Sequence, residues 1–167
     1  DYFVDGLLIC GSYSKEEELK LLHSVFLENN YSVEEETIEE AFFQRVNVYV
    51  VKGKRIWFDV VYGGAYESEM VHIASTFGSK INIFTGSCGG LIEKAKTGDI
   101  ILPTFSYGDE STTRLYQRNV KDKKHFVTES LVSAIEALIP KDINIHRGGI
   151  VTCQAMLGET KKDIKNW

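Results

Sequence analysis

The chain has 167 residues, of which 43% are hydrophobic and 26% are charged, and its 19 basic and 24 acidic residues give a net charge of −5. This size and composition predict about one domain with a real core, and they exclude an intrinsically disordered chain and a strongly basic nucleic-acid binder. No apolar stretch approaches the roughly 18 residues of a membrane span and no segment resembles a signal peptide, so we expect no membrane partner.

The first predicted element is a strand that leads directly into a helix. Val4–Cys10 is a short apolar stretch that ends at Gly11, which is typical of a strand entering a tight turn. Ser14 and Glu17 fit the capping box of a helix, and apolar residues then recur at helical spacing as far as Asn29. This order predicts an α/β unit.

Three strands and a second helix are predicted next. Val33–Ile38 is acidic and indicates an edge strand. Phe42–Val51 and Arg55–Tyr62 are rich in strand-forming residues and are joined by a Lys-Gly-Lys turn, so they predict a hairpin. Glu67–Phe77 places its apolar residues on one helical face, and Gly78 follows where a helix C-terminus favours glycine.

The second half of the chain alternates apolar stretches with helical patterns. Its predicted elements are a strand at Lys80–Thr85, a strand at Asp99–Pro103, a polar loop at Thr104–Thr113, a solvated basic turn at Lys121–Lys124, a helix at Thr128–Ile139, a strand at Ile143–Cys153 and a helix at Glu159–Trp167. We therefore predict one α/β domain over residues 1–167, with a mixed central β-sheet flanked by helices. Because the chain stops inside a predicted helix, we expect it to be a fragment or short at its C-terminal end.

The cysteines and histidines carry no metal or disulfide signature. Cys10, Cys88 and Cys153 are odd in number and lack CxxC spacing, and the four histidines lack an HExxH motif. We therefore expect neither a disulfide framework nor a metal site, and a reduced, cytoplasmic compartment.

Three predicted strands end in glycine-bearing turns. These turns are Gly11, the segment Tyr62–Tyr66 and the segment Gly86–Gly90. In α/β sheets ligands bind at the carboxyl ends of strands, where small residues let a ligand approach the backbone N–H groups. The turns therefore predict a small-molecule cleft, although each is also compatible with plain packing of a helix against a strand. Neither GxGxxG nor the phosphate-binding GxxxxGK[ST] motif is present, which excludes dinucleotide and P-loop sites.

Three segments carry a resemblance to a known family. INIFTGSCGG at Ile81–Gly90, TGDIILP at Thr97–Pro103 and TCQAML at Thr152–Leu157 resemble the nucleoside phosphorylase and uridine phosphorylase superfamily, which also includes methylthioadenosine and adenosylhomocysteine nucleosidases. The resemblance implies an α/β pentosyltransferase of nucleoside salvage. It would cleave the N-glycosidic bond of a purine or pyrimidine (deoxy)ribonucleoside with phosphate, releasing the base and (deoxy)ribose 1-phosphate.

The resemblance also implies the ligands and the site residues. Nucleoside and inorganic phosphate would be the partners, without a further cofactor or metal, in a homo-oligomer that binds no nucleic acid. The implied phosphate-binding residues are Gly11, Lys15 and Ser87, with Ser87 also positioning the ribose, and the implied nucleoside-binding residues are Cys88, Gly89 and Met156.

The chain departs from the family pattern at the phosphate-binding arginines. Lys15 stands where the phosphorylases carry one arginine, and a lysine lacks the bidentate fork that orients phosphate. Phe84 stands where they carry a second, and the third aligns roughly with Phe42, with Arg45 close but out of register. The family's ribose-binding Met-Glu segment and the acid that protonates a purine would fall beyond Trp167.

Three alternatives follow from these departures. In a hydrolytic nucleosidase, Glu16 would orient a water molecule, although an acid at this position is also favoured by the dipole of a helix N-terminus. A divergent member could bind a ligand without catalysis. In a thiol hydrolase, the GxCxG sequence around Cys88 would form a nucleophile elbow with His125 or His146 as the base.

Overall fold

The computed structural model describes residues 1–40, 44–108, 111–116, 118–119, 121–153 and 158–166. Its elements in chain order are β1 (Gly6–Gly11), α1 (Lys15–Glu28), β2 (Val33–Glu40), β3 (Gln44–Val51), β4 (Lys54–Val60), α2 (Gly64–Thr76), β5 (Ile81–Gly86), β6 (Ile100–Gly108), α3 (Ser111–Tyr116), β7 (Lys124–Phe126), α4 (Glu129–Glu136), β8 (Ile145–Thr152) and α5 (Lys161–Asn166). The predicted α/β class, with mixed sheet pairing and flanking helices, is confirmed. Residues Asp1–Cys88 and Gly89–Trp167 form two compact units. The single domain over residues 1–167 stays a prediction.

The first unit is built on a five-stranded sheet in the order β2-β3-β4-β1-β5. β1 pairs in parallel with β4 on one side and with β5 on the other, while β2, β3 and β4 are antiparallel. The predicted edge strand and hairpin are therefore confirmed, with the second hairpin strand ending at Val60 rather than Tyr62. Phe42 and Phe43 lie outside the described residues. Lys52 and Gly53 have φ values of 51° and 73°, which a two-residue hairpin turn requires to match the twist of its strands.

The core of the first unit lies on one face of this sheet. Leu7, Trp57 and Val48 are paired in register across β1, β4 and β3, and each is at most 2% exposed. Met70 and Ala74 of α2 belong to the same buried cluster. Because side chains alternate between the two faces of a strand, this register assigns one set of apolar residues to α2 and leaves the opposite set for α1.

The first helix begins where the capping box predicts. The Ser14 hydroxyl accepts a hydrogen bond from the backbone N–H of Glu17, and Asn29 is the C-cap. α1 has no buried residue among its described side chains. Its contact with the sheet includes Phe26, whose ring centroid lies 5.3 Å from that of Tyr49, and His23, whose Nε2 lies 3.2 Å from the Tyr49 hydroxyl.

The second helix starts earlier than its apolar pattern predicts. α2 begins at Gly64 rather than Glu67, after the N-cap residue Gly63 with φ of 113°. It ends before Gly78, whose φ is also 113°, and the Ser79 N–H donates to the Ala74 carbonyl at 2.9 Å. The glycine C-terminus predicted at Gly78 is therefore confirmed, because this conformation is strained for any residue with a side chain.

The second unit holds a three-stranded sheet in the order β7-β6-β8. The predicted polar loop at Thr104–Thr113 is wrong, because β6 continues to Gly108 and α3 begins at Ser111. β6 is hydrogen-bonded in parallel to β8 and in antiparallel to β7, with an irregularity between Pro103 and Phe105. Pairing on both sides satisfies the backbone groups of this polar stretch, which hydropathy alone does not reveal.

The short strand β7 was not predicted. Lys124 lies in β7 and its Nζ is 4.8 Å from the centroid of the Phe105 ring, while residues 121–123 before it have neither turn nor regular secondary structure. The predicted turn at Lys121–Lys124 is therefore wrong. The predicted helices at Thr128–Ile139 and Glu159–Trp167 correspond to the shorter α4 and α5, and the predicted strand at Ile143–Cys153 corresponds to β8.

Two features are absent from the described ranges. No helix there is long and apolar enough to cross a lipid bilayer. Nor do three or more histidine, cysteine, aspartate or glutamate side chains in those ranges converge as they would around a metal ion.

Glu67 is a partly buried carboxyl in the first turn of α2. Burial raises its pKa from 4.5 to about 7. The folded state therefore binds more protons than the unfolded state between these two values, so this group lowers stability progressively as the pH rises from about 4.5 to above 7.

We expect Glu67→Gln to stabilise the protein at pH 8 by about 1–3 kcal/mol, discounted for partial exposure, and to change stability little at pH 4. Urea unfolding at both pH values measures this difference. Glu69→Gln, which alters an exposed acid on the same helix, is the control and should give no pH-dependent gain. An equal effect of Glu67→Gln at both pH values would contradict the prediction.

Candidate functional site

The paired ends of β1 and β5 form a pocket. The two strands run parallel and finish in register, with Cys10 opposite Thr85 and Gly11 opposite Gly86. The pocket has a volume of about 390 Å³ and is lined by Cys10, Gly11, Ser12, Glu18, Thr85, Gly86 and Ser87. Two of the three glycine-bearing strand ends thus meet at one site, as expected for the carboxyl edge of a parallel sheet.

The third strand end contacts the first through aromatic stacking. Tyr13 follows β1 and Tyr62 follows β4, and their ring centroids lie 4.0 Å apart at an interplanar angle of 27°. A hydrogen bond from the Tyr13 hydroxyl to Tyr62 favours the protonated phenol and raises the pKa of Tyr13. The rings are 80% and 56% exposed, so this pair forms an aromatic surface beside the strand ends.

Phe84 explains why glycine ends β1. A Cβ atom at Gly11 would lie 2.8 Å from Cζ of the Phe84 ring, and one at Gly86 would lie 3.5 Å from the same ring. The missing side chain of Gly11 therefore makes room for an aromatic ring of the same chain, whereas the distance at Gly86 is an ordinary van der Waals contact. At this position, where the resemblance places an arginine in phosphorylases, the protein carries an apolar ring packed on two glycines.

The acid in this pocket is Glu18, which the sequence interpretation missed. Glu18 lies in the first turn of α1, four residues before Leu22 and eight before Phe26, so the three share one helical face. This face meets the sheet at Tyr49. Extending the apolar face of α1 by one turn toward its N-terminus reaches Glu18, and not Glu16 or Glu17, and would have predicted Glu18 as the acid that faces the sheet.

Glu18 and Thr85 surround the thiol of Cys10. Cys10 Sγ lies 3.3 Å from Thr85 Oγ1, within hydrogen-bonding distance for sulfur. Burial is the main cause that raises the pKa of the Cys10 thiol, and the nearby Glu18 carboxylate raises it further while Thr85 opposes the shift. The pocket therefore combines a carboxylate, a thiol that stays protonated and the three hydroxyl groups of Ser12, Thr85 and Ser87.

Lys15 lies in an ion pair rather than in the pocket lining. Its Nζ donates to Asp59 Oδ1 at 2.8 Å and also donates to the backbone carbonyl of Arg45. Asp59 is 4% exposed and also accepts a hydrogen bond from the Val60 N–H. The sequence interpretation did not single out Asp59, because its partner comes from a helix 44 residues earlier in the chain.

Glu16 points away from the pocket. Its side chain is 81% exposed, and its Oε1 accepts a hydrogen bond from Lys20 Nζ at 2.7 Å, one helical turn later. Such exposed pairs stabilise a helix weakly. The structure thus places Glu16 on the solvent side of α1.

The remaining candidate residues are distributed as follows. Ser87 is an exposed residue of the pocket lining, Cys88 is exposed, and Gly89 begins the second unit. Met156 lies outside the described residues.

The thiol-hydrolase interpretation is not supported by the local structure. Residues 87–99 contain turns but no helix, so the strand-turn-helix context of a nucleophile elbow is absent around Cys88. His146, one of its candidate bases, hydrogen-bonds through Nε2 with Asp99 Oδ2 at 2.7 Å.

Comparison with known proteins identifies the family. The model of the phosphorylase superfamily matches residues 7–167. A comparison with curated protein sequences found no significant match.

Solved structures share the fold at low sequence identity. A futalosine hydrolase mutant of Helicobacter pylori is 18% identical with a TM-score of 0.73, and the match covers 97% of this chain and 73% of that one. A 5′-methylthioadenosine/S-adenosylhomocysteine nucleosidase of the same organism is 17% identical with a TM-score of 0.71, covering 98% and 70%. A purine nucleoside phosphorylase of Toxoplasma gondii is 16% identical with a TM-score of 0.71, and this chain spans 61% of its length.

The site geometry predicts an order of thiol reactivity. We expect iodoacetamide at pH 7.5 to label Cys88 at least about fivefold faster than Cys10, because Cys88 is exposed whereas Cys10 is half-buried with a raised pKa. Peptide mapping by mass spectrometry measures both rates, and the urea-unfolded protein is the control in which the rates converge. Faster labelling of Cys10 in the folded protein would contradict this arrangement.

Proposed function

We propose that this chain, which belongs to the phosphorylase superfamily, cleaves the N-glycosidic bond of a nucleoside or nucleoside thioether with water as the nucleophile. The observation that carries the choice of water is the charge of the pocket. Among the described residues of its lining, one side chain is acidic and none is basic. Members of the superfamily with this fold include both phosphorylases and hydrolases.

The pocket is a poor environment for a phosphate dianion. Lys15, the cationic residue that the resemblance assigns to phosphate, pairs with Asp59, and Phe84 packs where the resemblance places an arginine. The Glu18 carboxylate would repel an anion placed beside it. A neutral water molecule meets no such repulsion, and the reaction requires no cofactor.

Glu18 is the proposed general base. Its carboxylate would orient a water molecule and accept a proton from it as the oxygen attacks the anomeric carbon. The C–N bond breaks, its electron pair leaves with the nucleobase, and the nucleobase takes up a proton from solvent while Glu18 releases to solvent the proton that it took from water. The same negative charge would stabilise the oxocarbenium-like ribose of the transition state.

Ser87 is the proposed ribose-positioning residue. Its hydroxyl lies in the lining of the same pocket, opposite the end of β1, and can exchange hydrogen bonds with a sugar hydroxyl. Gly11 and Gly86 line the same pocket at the paired strand ends. Phosphorolysis with Gly11, Lys15 and Ser87 as the phosphate site is the alternative that the experiment distinguishes.

The reaction is tested with a panel of purine and pyrimidine nucleosides, including 5′-methylthioadenosine, with and without phosphate. We expect free ribose or its 5′-substituted form as the sugar product, at a rate independent of phosphate. Glu18→Gln should lower kcat by about 10²–10⁴-fold, because a positioned general base contributes about that factor. Ser87→Ala should raise KM.

Glu16→Gln is the matched control, since Glu16 lies two residues away on the same turn but is exposed. It should leave kcat within about twofold, as exposed groups contribute little. A ribose 1-phosphate product that requires phosphate would contradict hydrolysis in favour of phosphorolysis. Absence of cleavage across the panel would contradict both reactions.

A further inference from the structure

We propose that the Lys15–Asp59 ion pair positions Glu18, so that Lys15 acts in the reaction through Glu18 rather than by binding phosphate. The inference rests on the proposed function of the pocket. Lys15 and Asp59 are accordingly positioning residues, and neither belongs to the pocket lining.

The ion pair joins three elements at the carboxyl end of the sheet. Lys15 is the first residue of α1, Asp59 lies in β4, and the Arg45 carbonyl that also accepts from Lys15 lies in β3. The side chain of Asp59 is only 5% exposed and that of Lys15 is 31% exposed. The two side chains of such a buried pair adopt fewer relative orientations than those of a surface pair, because water competes weakly for their charged groups.

The first turn of α1 depends on this contact for its placement. α1 has no buried residue, and its aromatic contacts with Tyr49 come from His23 and Phe26, at least two turns further on. Glu18 lies one turn after Lys15 on the same side of the helix. Tethering Lys15 to the sheet therefore fixes the turn from which Glu18 enters the pocket.

The contact with Asp59 explains why position 15 carries a lysine. The ammonium group is engaged by a carboxylate and a carbonyl, so binding an anion there would leave the buried Asp59 unpaired. A role in phosphate binding predicts that Lys15 variants change the phosphate dependence of the rate. A positioning role predicts that they change kcat through Glu18 alone.

The activity test is a double-mutant cycle with Lys15→Met and Glu18→Gln. We expect Lys15→Met to lower kcat by about 10–100-fold with KM within about threefold, and to lower it by less than about twofold when Glu18 is already Gln. Lys15→Arg should restore most of kcat, since a guanidinium can pair with Asp59. Lys20→Met, at an exposed lysine of the same helix, is the control.

A second readout needs no activity. Glu18 contributes to the raised pKa of the Cys10 thiol, so displacing Glu18 should lower that pKa. We expect Lys15→Met to shift the pH midpoint of Cys10 alkylation downward, and to cause no further shift in Glu18→Gln. An inactive wild-type protein would refute the proposed function, and this titration would still decide the role of Lys15.

Folding is checked by circular dichroism and thermal unfolding of each variant. If Lys15→Met does not fold, Lys15→Met with Asp59→Asn removes the unpaired buried charge and takes its place in both tests. The proposal would be overturned if Lys15→Met lowered kcat by the same factor in the wild-type protein and in the Glu18→Gln variant. An unchanged Cys10 titration in the folded variant, or a rate that becomes phosphate-dependent, would also overturn it.

Discussion

The parallel pairing of β1 with both β4 and β5 is the constraint on which the first unit depends. A strand bonded on both edges leaves no freedom of register, and a shift by one residue would turn Leu7 and Trp57 out of the core. The register of β1 with β5 brings Gly11 opposite Gly86. Burial of the apolar face and formation of the pocket therefore depend on the two ladders that β1 makes, one on each edge.

The two helices of the first unit, α1 and α2, are attached to the sheet by different kinds of contact. α2 contributes Met70 and Ala74 to the core and is anchored by apolar burial. α1 buries no residue and instead uses its Ser14 cap, an aromatic contact at Tyr49 and the Lys15–Asp59 pair. Hydrogen bonds and ion pairs are directional, so they fix the position of the first turn of α1 more narrowly than apolar packing alone would. Such contacts therefore hold the Glu18 carboxylate at the pocket.

The elements that could be predicted are those with local signals. The cap at Ser14, the hairpin turn at Lys52 and the glycine after α2 each follow from the conformational preferences of a few adjacent residues. The extension of β6 and the strand β7 had no such signal, because they are stabilised by pairing with strands distant in the chain. Glu18 could be predicted in part, since its spacing from Leu22 and Phe26 indicates that it lies on the helical face that packs against the sheet.

Apolar periodicity in the sequence predicted the α/β class and most of the element order, and the resemblance of segments such as Ile81–Gly90 indicated the family. The resemblance also implied that Phe84 stands where phosphorylases carry an arginine. Only the tertiary structure decided that the face of α1 carrying Glu18 borders a pocket, and which partner engages Lys15. The pocket requires β1 and β5 to end side by side, and a buried Asp59 in β4 becomes the partner of Lys15 only when the sheet brings it beside α1.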